Sequence, residues 1–277
     1  MGRKTLILGA NSRVGRMLRR QWADVPEMAW LARSGTSPLW SLQDGVDALG
    51  PILRDADVVL CLAGATAGAG VPLALNVEIA CAVLQAASAG SHVFLASSMA
   101  VYGSGARPHR EGAAAVPSAD YGRSKLEMEQ AARAIADRRG VGLTSLRLAN
   151  IVGADMLFAN IAAGRAITLD RFADGATPAR SYLDPVSLGD ALVRLFRMAR
   201  AGAALPEVLN LATEPPVEMA ALLGAAGLAY ETRAAPDKAQ RAVTMDISQA
   251  SALIPELAEP RDAAAMIAAW RRVEAMA

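Results

Sequence analysis

A chain of 277 residues can bury a sizeable core and hold one large domain or a main domain with a smaller one. Apolar residues make up 53% and charged residues 20%, which excludes a disordered chain; 28 basic against 27 acidic residues leave a net charge of +1, with no electrostatic pull toward nucleic acid or an anionic membrane. Two cysteines, Cys61 and Cys81, and two histidines, His92 and His109, are too few and too scattered for a disulfide framework or a metal site.

The segment Met1 to Thr5 runs straight into a short apolar run, without the long apolar core and cleavage site of a signal peptide, so a cytoplasmic address is expected. Thr5 to Leu8 predicts a strand ending at Gly9, and Val14 to Trp22 has the mixed apolar and basic pattern of a helix. Met28 to Ala32 predicts a second strand, Asp47 to Arg54 a short helix, and Asp57 to Ala63 a fully apolar strand of the kind buried in parallel sheets. The uncharged stretch from Val58 to Val77 is long enough to suggest a membrane span, but Gly64, Gly68, Gly70 and Pro72 interrupt it, so it reads as a strand and a glycine-rich loop. Next come a helix over Asn76 to Ala89, a strand over His92 to Ser97, a helix from Tyr121 to Arg139 closed by Gly140, and a strand over Leu143 to Ile151.

This alternation predicts an α/β fold, a doubly wound parallel sheet of Rossmann type. After Gly153 the rhythm loosens, with helices at Ser187 to Ala199, Val217 to Ala225 and Asp262 to Met276 and a strand at Val208 to Ala212. The expected division is a dinucleotide-binding core over 1–153, to which 181–212 returns, and a small, mostly helical substrate-binding cap over 154–180 and 213–277.

Tyr121 and Lys125 are four residues apart, on one face of the predicted helix. The pairing is notable because only Lys4, Lys125 and Lys238 among the 28 basic residues are lysines. A cation beside a phenol favours the phenolate and suits proton transfer to or from a substrate oxygen, the chemistry of a carbonyl and its alcohol; the alternative is a solvated helix face. Gly9, Asn11, Ser12, Arg13, Val14 and Gly15 lie between the first strand and first helix, where a pyrophosphate can approach backbone N–H groups. At the end of the second strand stands Arg33 rather than an acid. With Arg13 aimed at the same region it would suit a 2′-phosphate, so NADP(H) is favoured over NAD(H), unless both are ordinary surface arginines. Ser97 and Ser98 follow a strand and place hydroxyls at the sheet edge where ligands bind; Ser98 could orient a substrate oxygen, and Ser97 is its neighbouring candidate.

In order and spacing, the pieces Gly9 to Gly15, Asp57 to Gly64, Asn76 to Ala87, Ser97 to Gly103, Tyr121 to Lys125, Arg147 to Gly153 and Arg180 to Leu183 with Asp190 resemble the extended short-chain dehydrogenase/reductases. That group contains nucleotide-sugar epimerases, dehydratases and ketoreductases, and the likeness runs from Thr5 to about Ala212. The resemblance implies that Tyr121 is the general acid/base, that Lys125 holds the nicotinamide ribose and lowers the Tyr121 pKa, and that Ser98 binds the reacting oxygen. It also implies that Leu62, Ala63, Gly64 and Asn76 line the cofactor, that Asn150 and Arg180 face the substrate, and that the protein is a homodimer. The chain departs from the pattern at Ser12, which replaces a glycine; at Ser37 to Gln43, which lacks the expected Asp and has Trp40 near its place; at the residue after Gly153, which is not Pro; and in a short cap.

The first reading is an NADPH-dependent reductase of a ketone on a sugar or nucleotide-sugar, or the matching alcohol dehydrogenase. Its alternative is an NAD-dependent nucleotide-sugar epimerase or dehydratase, in which the hydride returns to the same molecule. A dehydratase calls for an acid pair just before the catalytic tyrosine's strand-end region, and Met99 and Ala100 supply none. A non-catalytic dinucleotide-binding regulator is a third reading, opposed by the intact Ser98, Tyr121 and Lys125 set. The partner is a small molecule in each case, with no nucleic acid and no membrane.

Overall fold

The computed structural model describes residues 4–35, 38–66, 70–105 and 107–276. Their strands are β1 (Lys4–Leu8), β2 (Met28–Leu31), β3 (Ala56–Cys61), β4 (His92–Ser98), β5 (Gly142–Leu148), β6 (Asn150–Ile151), β7 (Thr168–Arg171), β8 (Ala179–Leu183), β9 (Val208–Leu211), β10 (Thr213–Glu218), β11 (Glu231–Ala234) and β12 (Ala242–Val243). The helices are α1 (Arg13–Gln21), α2 (Gly45–Leu53), α3 (Leu75–Ala86), α4 (Asp120–Arg139), α5 (Met156–Ala162), α6 (Pro185–Arg200), α7 (Met219–Ala226), α8 (Ser248–Leu253) and α9 (Ala263–Glu274). Met1 to Arg3, Ser37 and Gly68, on which some of the expectations fall, lie outside the described residues.

The chain forms two compact units, Met1–Gly103 with Ala115–Arg147 and Leu192–Leu209, and Ser104–Ala114 with Leu148–Ala191 and Asn210–Ala277. These boundaries differ from the expected ones: 104–114, 148–153, 181–191 and 210–212 go with the second unit.

The first unit is a six-stranded sheet in the order β2-β1-β3-β4-β5-β9. β1 pairs in parallel with both β2 and β3, and β3 with β4. This is the predicted Rossmann-like doubly wound sheet. Because side chains alternate along a strand, Val59, Cys61, Val93 and Leu95 point into one core with Val83, Met128 and Ile135 from the helices. Phe94, from the opposite face of β4, meets Phe196 at 5.5 Å between ring centroids, and Phe196 meets Trp22 at 6.0 Å. α4 ends where Gly140 turns left-handed at φ 63° and its N–H caps the Ala136 carbonyl, a conformation that favours glycine. Strand order reverses across β1 and β3, so the loops after these two strands meet at the switch point, the usual place for a ligand in such sheets.

The second unit carries more strand than the expected helical cap. It contains the path β10-β8-β12, with β6 also on β8, and the pair β11-β7. β10 escaped notice because Pro215 and Pro216 break both the apolar alternation and the ladder, whose register shifts between Thr213 and Val217. Asp155 caps α5 by accepting from the Phe158 N–H at 3.0 Å, and Asp262 caps α9 through the Ala265 N–H at 2.8 Å. These helices bring Phe158 and Met266, and α7 brings Leu222, onto a core shared with Val152 and Leu169.

Candidate active site

The loop after β1 is shaped by close approach. Gly9 has φ 96°, and a Cβ there would stand 2.7 Å from the Ala63 nitrogen, so the β1 and β3 loops can touch only through a glycine. A Cβ on Gly15 would strike the Gly9 carbonyl oxygen. Ser12, in the place of a glycine, is the N-cap of α1: its Oγ accepts from the Gly15 N–H at 2.9 Å. Asn11 is a brace, its amide donating to the Ser34 carbonyl at 2.7 Å while its own carbonyl accepts from Arg16 at 2.6 Å. The first turn of α1 holds no acid, and Arg13 and Val14 are half-buried beside it. A glycine cradle, a helix N-terminus and the absence of a competing carboxylate fit the pyrophosphate of a dinucleotide.

Leu62 and Ala63 are half-buried and Gly64 is exposed on the β3 loop. Asn76, assigned to the cofactor by resemblance, is 1% exposed and engaged within the protein. Its Oδ1 accepts from the Ala65 N–H at 3.0 Å, and its Nδ2 donates to the Ala65 carbonyl at 3.2 Å and the Ser124 Oγ at 3.0 Å. The residue therefore hooks the β3 loop onto α4. Arg33 is exposed at the end of β2.

The two serines at the end of β4 divide their roles. Ser97 is buried and its hydroxyl donates to the Glu129 carboxylate. Ser98 is half-buried and accepts from the Ala100 N–H at 3.2 Å, and its hydroxyl is near enough to the Tyr121 phenol to draw that group's pKa down. Gly122 allows this meeting, since a Cβ there would strike the Ala100 carbonyl. One helical turn on, the buried Lys125 Nζ donates to the Ala96 carbonyl at 2.8 Å and stands 6.0 Å from the Tyr121 ring centroid. Ser98, Tyr121 and Lys125 are thus together at the end of β4 and the start of α4.

The electrostatics differ from expectation. Burial pushes the Tyr121 phenol above its ordinary value, opposed by the nearby Ser98 hydroxyl and by the charge of Arg13. Arg13, expected to face a 2′-phosphate with Arg33, is thus the cation felt at the phenol, whereas Lys125 is held against the Ala96 carbonyl and is itself brought down to about 8 by burial. Sequence reasoning also missed Glu129. The signal was available: an acid four residues after Lys125, between the buried Met128 and Ala132, needs a partner. That partner is Arg147, whose Nη2 and Nε donate to the Glu129 carboxylate at 2.7 and 3.1 Å and whose guanidinium lies 4.7 Å from the Tyr102 ring centroid.

Asn150 and Arg180 belong to the second unit. Asn150 is opposite Tyr182 in the β6–β8 ladder, and Arg180 is half-buried on β8, its Nη1 donating to the Ala179 and Gln240 carbonyls at 2.7 and 3.1 Å.

The profile of the NAD-dependent epimerase/dehydratase family matches residues 5–212. The chain belongs to that family. Its members are enzymes of the extended short-chain dehydrogenase/reductase type. No curated protein matches the sequence. Among solved structures, this family member is similar to MoeE5 in complex with UDP-glucose and NAD, with a TM-score of 0.75, 21% identity, and 98% of this chain and 100% of that one covered. It is similar to the UDP-glucuronic acid 4-epimerase from Bacillus cereus in complex with UDP-glucuronic acid and NAD, with a TM-score of 0.73, 15% identity, and 98% and 99% covered. The UDP-N-acetylglucosamine 4-epimerase from Bacillus cereus gives a TM-score of 0.75 at 17% identity, with 99% of each chain covered. At such identities these likenesses bear on the fold.

Proposed function

We propose that this family member is an NAD-dependent nucleotide-sugar epimerase, using Tyr121 as its general acid/base. The observation that carries the reading is the gathering of Ser98, Tyr121 and the buried Lys125 at the end of β4 and the start of α4, with the Lys125 Nζ 6.0 Å from the Tyr121 ring centroid. Family membership and the nucleotide-sugars held by the structural neighbours support it over the ketone reductase favoured from sequence. The lack of an acid at Met99 and Ala100 supports epimerisation over dehydration.

Bound NAD would supply the hydride acceptor and then the donor, held by the Gly9 to Gly15 turn and the N-terminus of α1. Ser98 orients a sugar hydroxyl toward Tyr121. As the alcohol is oxidised the phenolate accepts its proton, and in the return step the phenol gives a proton back to the same oxygen. The charge of Arg13 favours the phenolate against the burial that opposes it. Arg180 takes a substrate phosphate, as the family resemblance implies, through the guanidinium nitrogens not donating to Ala179 and Gln240. The same resemblance makes the working species a homodimer.

The second reading, NADPH-dependent ketone reduction, is favoured by Arg33, exposed at a strand end that lacks a carboxylate for the ribose 2′-OH. One experiment separates the two. The purified protein is denatured to identify any nucleotide it releases, then incubated with NAD and UDP-glucose, UDP-glucuronic acid or UDP-N-acetylglucosamine. Retained NAD and a sugar epimer support the epimerase. An empty protein that binds NADPH over NADH and leaves each sugar unchanged overturns it in favour of the reductase.

A further inference from the structure

The end of β4 is stitched to α4 at consecutive residues. The Ala96 carbonyl accepts from the Lys125 ammonium at 2.8 Å, and the Ser97 hydroxyl donates to Glu129, one helical turn beyond Lys125. Ser98 comes next in the chain. Glu129 is buried, and the buried Arg147 of β5 closes on its carboxylate through Nε at 3.1 Å and Nη2 at 2.7 Å. The same guanidinium lies 4.7 Å from the ring centroid of Tyr102, which is buried in turn. One buried ion pair therefore holds the chain on both sides of Ser98, at Ser97 before it and at Tyr102 after it.

We propose that the Glu129–Arg147 ion pair is a positioning device for Ser98, gripping the turn from Ser97 to Tyr102 so that the Ser98 hydroxyl is presented to Tyr121, on the helix that also carries Glu129. The inference rests on the reading of Ser98, Tyr121 and Lys125 as site residues. Successive side chains of a strand point to opposite faces, so fixing Ser97 toward α4 also fixes the direction in which Ser98 leaves the strand end. Within the turn, the Ser98 Oγ accepts from the Ala100 N–H at 3.2 Å and the Met99 carbonyl from the Tyr102 N–H at 3.1 Å. These bonds shape the turn but do not attach it to α4 or β5; the ion pair does. Net stability is a poor reason for such a pair, because the desolvation of two charges offsets most of their attraction and apolar side chains of like volume fill the space as well. Direction is what an apolar pair lacks: the carboxylate accepts from Ser97 while the planar guanidinium holds the carboxylate and faces the Tyr102 ring.

Two variants release the grip and a third is the control. Ser97→Ala removes the hydroxyl and leaves the ion pair intact, and Glu129→Gln with Arg147→Met removes both charges without stranding either. Thr144→Val deletes a buried hydroxyl that bonds His92 and Pro206 beside the start of β4, so it costs stability away from the site. Amide exchange followed by NMR needs no substrate. In both release variants the Ala100 and Tyr102 amides should exchange about tenfold faster relative to the amides of β1, whereas Thr144→Val should leave that ratio unchanged. With a UDP-sugar that the wild-type protein epimerises, the release variants should lose about tenfold in kcat with KM within about twofold of wild type, and Thr144→Val should keep its kcat. An unchanged exchange ratio in Ser97→Ala overturns the proposal. So does a wild-type kcat in that variant, or an equal fall in kcat in Thr144→Val, which would trace the loss to stability. Should the double variant fail to fold, Ser97→Ala decides alone. A Tyr121→Phe variant at the wild-type rate, or a sugar panel left unchanged, instead overturns the epimerase reading, and the exchange ratio then still decides whether the pair grips the Ser98 turn.

Discussion

At Tyr121 two influences compete: burial favours the neutral phenol, while the nearby Ser98 hydroxyl and the Arg13 charge favour the phenolate. A phenol in that balance can give up and regain a proton when a substrate oxygen replaces water beside it. Tyr121→Phe keeps the ring and loses only the hydroxyl, so NAD affinity should be retained while turnover falls by at least about a hundredfold, the usual scale for a lost general acid. A rate like wild type in steady-state assays would remove Tyr121 from the chemistry. Arg33 poses a separate question of recognition, because it is exposed and nothing in its turn is acidic. If it reads a 2′-phosphate, Arg33→Asp will weaken NADPH binding much more than NADH binding in a fluorescence titration. Equal losses would show that it does not.

At the scale of elements, β4 joins the site to the core. Its first residue, His92, packs on the Phe94 ring at 4.6 Å and has its Nε2 3.0 Å from the Thr144 hydroxyl on β5. That hydroxyl donates to the Pro206 carbonyl at 2.8 Å, so it accepts from an Nε2–H of His92. Burial lowers the His92 pKa from 6.5 to about 4. Between these values the unfolded chain binds a proton that the folded chain does not, so stability falls as pH drops through that window and is unaffected by His92 above it. Urea unfolding midpoints at pH 7 and pH 5 should therefore differ less for His92→Gln, which keeps a donor for Thr144 but cannot titrate. An identical pH slope in variant and wild type would show that another group controls acid sensitivity. At the other end of the same strand, Asn76 and Glu129 secure the β3 loop and the Ser97 position, so the site's precision comes from side chains that need never touch a ligand.

At the scale of the whole molecule, no described helix is long and apolar enough to cross a membrane. The division into two units puts the dinucleotide candidates with Ser98, Tyr121 and Lys125 in one unit and Asn150 with Arg180 in the other. The homodimer proposed from family resemblance gives a direct test: light scattering at micromolar concentration should return twice the chain mass of 28.8 kDa. A monomer would remove it.

Strand-helix alternation, the Gly9 to Gly15 turn and the Tyr121–Lys125 spacing are local properties. Each is set by hydrophobic period, backbone freedom or helical geometry within a short window, which is why the Rossmann-like core and the site's neighbourhood were legible in sequence. The strands of the second unit were not, because β10 contains a proline pair and β11 is exposed along its whole length, so neither carries an apolar alternation. The engagement of Ser97 by Glu129 and the anchoring of the β3 loop by Asn76 waited for tertiary structure. They depend on contacts across 32 and 48 residues of chain, Ser97 with Glu129 and Asn76 with Ser124, and a local pattern can announce a buried polar group without naming the group that satisfies it.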